Sequence, residues 1–329
     1  MSVKQQKAWF YNEYGPLEVL QFGDFAVPQP GPGQILVKVR AAALNPADFK
    51  RREGLLGPAG RADFKRLEDL LGPADSDFPA VPGCDMCGEL VEVGEGATKF
   101  KKGGVVYSDV QNFAAGRPKQ CGTLAQYTVV EETLAAHKPT SLSIEEAASL
   151  PLALLTAQQA FDIVSFQSGQ SVFIVGGAGG VGSLAIQLAR HVYGASRIVS
   201  TCSTAKMEFV KSLGADLAVD YTKQSYDEIL EKFDFVFDTI GESSKSYVVA
   251  KGAAPIIDIA TFQPIPRVKF FLVYPSASNL ERLSPYIESG KLRPVIDPKG
   301  PYAFSDVLEA FKHQESGRAM GKIVISPIY

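Results

Sequence analysis

Three glycines and one short polar run carry the most specific chemistry in the chain. Gly177, Gly179 and Gly182, in VGGAGGVGSLAIQLARHV, have the G-x-G-x-x-G spacing. That spacing suits a pyrophosphate: the first glycine allows a tight turn, the second lets backbone approach the phosphates, and the third lets a helix pack close to a strand. The context the motif needs is present, because Val172 to Val175 read as a strand covered on both faces, and Val181, Leu184, Ala185 and Leu188 recur at helical spacing. The free N–H groups of that helix start would face a phosphate. The polar run is STCSTAK, residues 200–206. Dinucleotide sites for NAD place an acid about twenty residues after the glycines, on the ribose 2′-hydroxyl, but no Asp or Glu occurs between Gly182 and Glu208. Ser203, Thr204 and Lys206 offer hydroxyls and a cation instead, which suit a 2′-phosphate. The expected cofactor is NADPH.

Other reactive residue types are sparse. Cys84 and Cys87 form a C-x-x-C pair, while Cys121, Cys202 and the three histidines, His137, His191 and His313, are scattered. A structural zinc needs four ligands at close spacing, so the expectation is no metal and reduced thiols. None of the histidines sits in a recognisable nucleophile context.

The elements that must position these residues fall into two kinds. Up to about Lys138 the chain reads as short strands, Ile35 to Val39, Glu89 to Val93, Val105 to Tyr107 and Tyr127 to Val130, divided by turn residues such as Pro28, Pro30, Gly31, Pro32 and Gly33. From Ser143, an N-cap with Glu146 three residues on, the period becomes helical through SIEEAASLPLALLTAQQAF. Strands then alternate with helices: Val172 to Val175, Ile198 to Ser200, Leu217 to Val219, Phe235 to Phe237 and Ile256 to Ile259. The fold class is thus α/β, an all-β module joined to a doubly wound parallel sheet. The last strand, Lys322 to Ile325, is expected to return to the first module. Residues 46–60 and 61–75 (PADFKRREGLLGPAG, RADFKRLEDLLGPAD) coincide at eleven of fifteen positions, a local duplication too short for a solenoid.

Composition excludes several partners. At 329 residues two domains are the prior, and a net charge of −3 leaves no electrostatic footprint for nucleic acid or an anionic membrane. No apolar run reaches the length of a membrane span, and MSVKQQK lacks the apolar core of a signal peptide, so the cytoplasm is expected.

The stretches AAALNPADFKR, VPGCDMCGELVEVG, EEAASLPLALLTAQQA, VGGAGGVG, LGADLAVDYTK and GRAMGKIVI, spread over nearly the whole chain, resemble the medium-chain dehydrogenase/reductase superfamily. Within it the chain is most similar to the plant quinone oxidoreductase and enone oxidoreductase group. The resemblance implies a GroES-like catalytic domain (1–142 and 293–329) and a Rossmann NADP-binding domain (143–292). It further implies zinc-free, NADPH-dependent reduction of α,β-unsaturated carbonyls (enones, 2-alkenals) or quinones, with the chloroplast as an alternative compartment.

By position, the resemblance implies Gly180 and Val181 at the pyrophosphate, Ser203 and Lys206 at the 2′-phosphate, and Tyr221 beside the adenosine. It implies Gly241 and Ile259 bordering the nicotinamide half, with Thr156 at the amide side. Arg318, Gly321 and Lys322 would close over the cofactor, and Asn45 and Lys50 would face nicotinamide and substrate as the catalytic polar residues. The expected chemistry is hydride transfer from C4 of the nicotinamide to the β-carbon of an enone, with protonation of the enolate at its α-carbon. The proton donor, the choice between enone and quinone, and the choice between monomer and homodimer stay open. Two other classes remain: a zinc-free alcohol dehydrogenase acting on the carbonyl, and an NADPH-binding protein without catalysis.

The sequence also departs from that family. The Gly-His-Glu segment and four-cysteine cluster of the zinc-dependent branch are absent, and Cys84 and Cys87 stand where relatives usually have tyrosine and alanine. Gly103-Gly104 replaces a Gly-Asp turn. The duplication places Lys50 and Lys65 in competition for one role. Asn45 keeps its five-residue spacing only to Lys50. Leu55, Leu56, Leu70 and Leu71 make the duplicated segment apolar enough to pack as a short helix or helical hairpin over the pocket mouth, the alternative being a flexible surface excursion.

Overall fold

Strand β3 (Gln34–Ala43) shows how the first module forms: Ile35, Val37 and Val39 enter the core while Arg40 is exposed. A computed structural model describes residues 4–56, 78–115, 119–261 and 265–329. Before β3 come β1 (Gln5–Phe10) and β2 (Gln21–Ala26), an antiparallel ribbon. After it come α1 (Pro46–Arg52), β4 (Asp85–Val93), β5 (Val105–Asp109), β6 (Tyr127–Glu131) and β7 (Ala136–His137). The helical stretch from Ser143 is two helices, α2 (Ile144–Ala148) and α3 (Pro151–Ile163). Ser143 accepts the Glu146 N–H and Glu146 accepts the Ser143 N–H, closing the expected capping box. Pro151 ends that run because it has no N–H to donate and disfavours helical backbone before it.

Alternation then sets in with β8 (Ser171–Val175), α4 (Gly180–His191), β9 (Arg197–Cys202), α5 (Met207–Ser212), β10 (Leu217–Asp220), β11 (Phe235–Asp238), α6 (Ser243–Ser246), β12 (Ile256–Asp258) and β13 (Val268–Lys269). The chain ends with α7 (Ala277–Glu288), α8 (Val307–Glu315) and β14 (Val324–Ile325).

Two compact units result, Met1–Leu152 with Val273–Glu288 and Ile296–Tyr329, and Ala153–Leu272 with Ser289–Val295. The first holds an antiparallel sheet of order β14-β3-β4-β5-β7, with β6 also paired to β3. β14 does return to this unit, Val324 pairing with Ala43. Its core gathers Ile35, Val37, Val39, Met86, Leu90, Val106, Val130 and Phe311. The second unit is a parallel sheet of order β10-β9-β8-β11-β12-β13. All five residues of β8 are buried, as a strand covered on both faces requires. In α4, residues Gly182 to Ala189 are buried as well.

Candidate active site

In the parallel unit the turn after β8 is built by four glycines with separate duties. Gly176, at φ +82°, takes the left-handed backbone of the tight turn. The sequence reading gave that duty to Gly177, and the structure corrects it. Gly177 instead lets β9 come close: a Cβ there would lie 2.0 Å from Ser200 Oγ, and its N–H donates to Thr201 O at 2.9 Å. Gly182 is a packing glycine, since a Cβ would lie 2.2 Å from the Gly176 carbonyl oxygen. Gly179 differs, because a Cβ would meet that same oxygen only at an ordinary 3.4 Å. The chain's own packing therefore does not demand glycine at 179. Gly180 and Val181 open α4, where helix N–H groups lack intrahelical partners.

The polar run lies where β9 ends. Ser203 precedes a single 3-10 turn, Thr204–Lys206, and Lys206 is half-buried. The Thr204 hydroxyl donates to the carboxylate of Asp220, which ends β10 in register with Cys202. Asp220 also accepts the Thr222 hydroxyl at 2.6 Å and the Thr222 N–H at 3.0 Å, and these bonds hold its carboxyl down at about 2. A fixed negative charge thus stands at the end of the strand beside the run read as a phosphate site. It comes from the neighbouring strand, so the stretch after the glycines carries no sign of it. Tyr221 follows, exposed, its N–H on Cys202 O.

At the ends of β11 and β12, Asp238 and Asp258 pair in register and are both fully buried. Asp238 Oδ1 accepts the N–H groups of Ile240 and Gly241, and Oδ2 accepts the Ser246 hydroxyl. Burial lifts this carboxyl to about 6. Asp258 Oδ1 accepts from Ala260 and Thr261 N–H, while Oδ2 accepts the Ser243 and Thr261 hydroxyls. These acids fold the loops that hold Gly241 (φ +97°) and Ile259, whose N–H bonds to Asp238 O. Thr156 is buried within α3.

The antiparallel unit assembles a second constellation. Asn45 caps α1, its N–H donating to Asp48 Oδ2 at 2.7 Å. The residue is 2% exposed and its side chain is fully engaged: Nδ2 donates to Asp85 Oδ2 at 2.9 Å and to Ala43 O at 3.3 Å, and Oδ1 accepts from Lys322 Nζ. Lys322 Nζ also lies 3.0 Å from Asp85 Oδ2. The Lys322 ammonium is thus buried in an ion pair. Arg318 is exposed, and Gly321, at φ +81°, is buried. Lys50 sits half-buried on α1, Leu55 is exposed and Leu56 buried. Lys65, Leu70 and Leu71, with the helix or hairpin expected there, lie outside the described residues.

Around this pair three carboxyls share one interior. Burial raises Asp48 to about 6, against the Cys84 thiol that donates to its Oδ1 at 3.0 Å. Asp109, opposite Asp85 in register, is lifted well above the carboxylate range by burial and by the Asp85 charge. Its Oδ2 is buried without a hydrogen-bond partner among the described residues. Burial also raises the Cys84 thiol, and that of Cys87 to about 12. Among the described residues no three His, Cys, Asp or Glu side chains gather as metal ligands.

A glycine turn at the carboxyl edge of a doubly wound sheet is the arrangement of a dinucleotide-binding fold. Residues 31–140 match the alcohol dehydrogenase GroES-like domain and residues 213–325 match a family described as zinc-binding dehydrogenase. The 2-methylene-furan-3-one reductase of Solanum lycopersicum is 47% identical over 98% of this chain and 80% of its own length. The chloroplastic NADPH-dependent alkenal/one oxidoreductase of Arabidopsis thaliana is 45% identical over 99% and 80%. The solved quinone oxidoreductase of Coxiella burnetii superposes with a TM-score of 0.82 at 29% identity, over 99% of this chain and 100% of that one. The chain belongs to the medium-chain dehydrogenase/reductase superfamily, in the branch of the quinone and enone oxidoreductases.

Proposed function

We propose that this chain is an NADPH-dependent reductase of the carbon–carbon double bond of enones and 2-alkenals, with quinones as a second substrate class, working without zinc. The observation that carries the reading is the cradle at Gly179, where the chain leaves space that packing does not require and helix N–H groups converge. The names of the two relatives at 47% and 45% identity supply the substrate class. NADPH would supply the hydride, from C4 of its nicotinamide to the β-carbon of the enone or to the quinone.

Gly177, Gly179, Gly180, Val181 and Gly182 hold the pyrophosphate in this reading, and Tyr221 lies beside the adenosine. Ser203 and Lys206 take the 2′-phosphate, with Thr204 turned to Asp220. Gly241, Ile259 and Thr156 border the nicotinamide, and Arg318 and Gly321 close over the cofactor. Lys50 is the side chain assigned to the reacting end, while Asn45, its donors already engaged, holds the start of α1. The name of the chloroplastic Arabidopsis thaliana relative weighs toward the chloroplast against the cytoplasm expected from sequence, and imaging of the tagged protein separates the two.

The test is NADPH consumption against a panel of enones, alkenals and quinones with product analysis, in the presence and absence of a chelator, with zinc measured on the purified protein. Saturated carbonyl products and activity untouched by chelation are expected. Tight NADPH binding without turnover overturns the catalytic reading, and one zinc per chain lost together with activity overturns the metal-free one. Cofactor choice has its own check: Lys206→Ala should weaken NADPH by roughly tenfold, the worth of one charge-assisted contact, and leave NADH nearly unchanged. Equal losses for both cofactors would show that Lys206 supports the fold and reads no phosphate.

A further inference from the structure

We propose that Asp85 is the positioning residue of the reductase site, holding the start of α1, and with it Lys50, in place through Asn45; this rests on the reductase reading above. Four strand ends line up beside it. Val324 of β14 pairs with Ala43 of β3, Ala43 with Asp85 of β4, and Asp85 with Asp109 of β5. Asn45 lies two residues beyond Ala43, and Lys322 two residues before Val324, so antiparallel pairing brings both to the same level of the sheet.

A single carboxylate then engages three parts of the unit. Asp85 Oδ2 accepts from Asn45 Nδ2 at 2.9 Å and from Lys322 Nζ at 3.0 Å, and Oδ1 accepts the Leu152 N–H at 2.7 Å. All three partners are remote in sequence, and each is fixed as a donor: an ammonium and a main-chain N–H cannot accept, and the Asn45 amide is oriented by Lys322 on its oxygen. Both oxygens of residue 85 must therefore be acceptors. An asparagine there has the right shape and the wrong chemistry, because its Nδ2 would face either the Leu152 N–H or the ammonium and amide. Burial makes the mismatch costly, since the groups lie away from bulk solvent. The consequence falls on Asn45, which has 2% of its surface exposed and caps the helix bearing Lys50.

The test compares the wild type, Asp85→Asn, and the double variant Asp85→Asn with Lys322→Met, all as full-length protein. Three measurements are made: NADPH affinity by fluorescence titration, kcat and KM on a turned-over enone, and amide hydrogen exchange across residues 44–52. With Lys322 gone, the Asn45 amide can turn its oxygen to the Nδ2 of residue 85, so the double variant should regain much of the thermal midpoint. The turned amide gives up its bond to Ala43 O and no longer holds the start of α1 as before. The double variant should still show kcat reduced about tenfold or more, as small misplacements do, NADPH affinity within threefold of wild type, and faster exchange confined to residues 44–52. Recovery of kcat together with the midpoint, wild-type exchange in 44–52, or failure of both variants to fold would overturn the proposal and leave Asp85 structural. A wild-type protein that binds NADPH but reduces nothing on the panel sinks the reductase reading alone. The exchange comparison then still decides whether Asp85 holds α1.

Discussion

Both units place buried aspartates at the ends of their central strands, yet they use them in opposite ways. In the parallel unit each acid binds the loop that follows its own strand, and Asp258 also reaches Ser243 at the start of α6. Asp238 binds residues 240, 241 and 246, and Asp258 binds 260 and 261 together with Ser243. On each of these acids one oxygen meets fixed N–H donors and the other meets hydroxyls, which can rotate. In the antiparallel unit Asp85 binds partners 40, 67 and 237 residues away. Its donors are fixed on both oxygens. The first arrangement shapes a local turn, so its loss stays local. The second ties separate parts of the chain at one point, and its loss should be felt by all of them.

The largest effect should come from removing the cation of the non-local arrangement. Lys322→Met takes the ammonium away from Asp85 and leaves a buried carboxylate, a change that typically costs about 3 to 5 kcal/mol. Urea denaturation measures it. A loss below about 1 kcal/mol, the range of exposed ion pairs, would erase the contrast between the units.

Next come the glycines, where the same kind of contrast exists inside one turn. Gly182→Ala forces a Cβ to within 2.2 Å of a main-chain oxygen, so backbone must move. The expected cost is about 1 to 3 kcal/mol, with NADPH binding lost alongside. Gly179→Ala meets only a 3.4 Å contact and should leave the thermal midpoint nearly unchanged while weakening NADPH. If both variants lose stability equally, the space at Gly179 serves packing and the cradle assignment fails.

What the sequence made legible follows the same division between local and remote. The cradle could be read because its strand, turn and helix start are contiguous, although GG at 176–177 hid which glycine takes the left-handed turn. The β8 strand and the Ser143 capping box are local patterns and appear as expected. The place of Asp220 is not legible locally, because β10, which carries it, is brought beside the polar run by parallel pairing alone. The Lys322 contact is hidden for a related reason: nothing in GRAMGKIVI says that its ammonium meets a residue 237 positions earlier. β1 and β2, QQKAWF and QFGDFA, lack the β-branched runs that announce strands and depend on each other's pairing.

A smaller effect at neutral pH, growing with pH, concerns Asp109. Folding raises its proton affinity, so between the ordinary aspartate value of 3.8 and its raised native value the native state binds more protons than the unfolded chain. Stability is then full below that window and falls as pH climbs through it, by up to ~1.4 kcal/mol per pH unit for one group. Asp109→Asn has no proton to lose, so its stability should decline less steeply with pH than that of the wild type. Parallel curves from denaturation at pH 5, 7 and 9 would show that Asp109 ionises freely and that its interior is better solvated than its burial indicates.

The smallest effect should come from the local arrangement, and it completes the contrast. Asp258→Asn can keep its oxygen toward the N–H groups of Ala260 and Thr261 and turn its Nδ2 toward the hydroxyls of Ser243 and Thr261. Each hydroxyl can reverse from donor to acceptor, so every buried group stays satisfied. The expected loss is under about 1 kcal/mol, within the worth of an ordinary hydrogen bond, and NADPH binding should survive. The same substitution at Asp85 has no rotatable partner to absorb it. Measured side by side by urea denaturation, the two Asp→Asn variants should therefore differ severalfold in cost although both residues are fully buried strand-end acids. Similar costs would mean that burial of the carboxyl, and not the fixed or rotatable character of its donors, decides what each acid contributes.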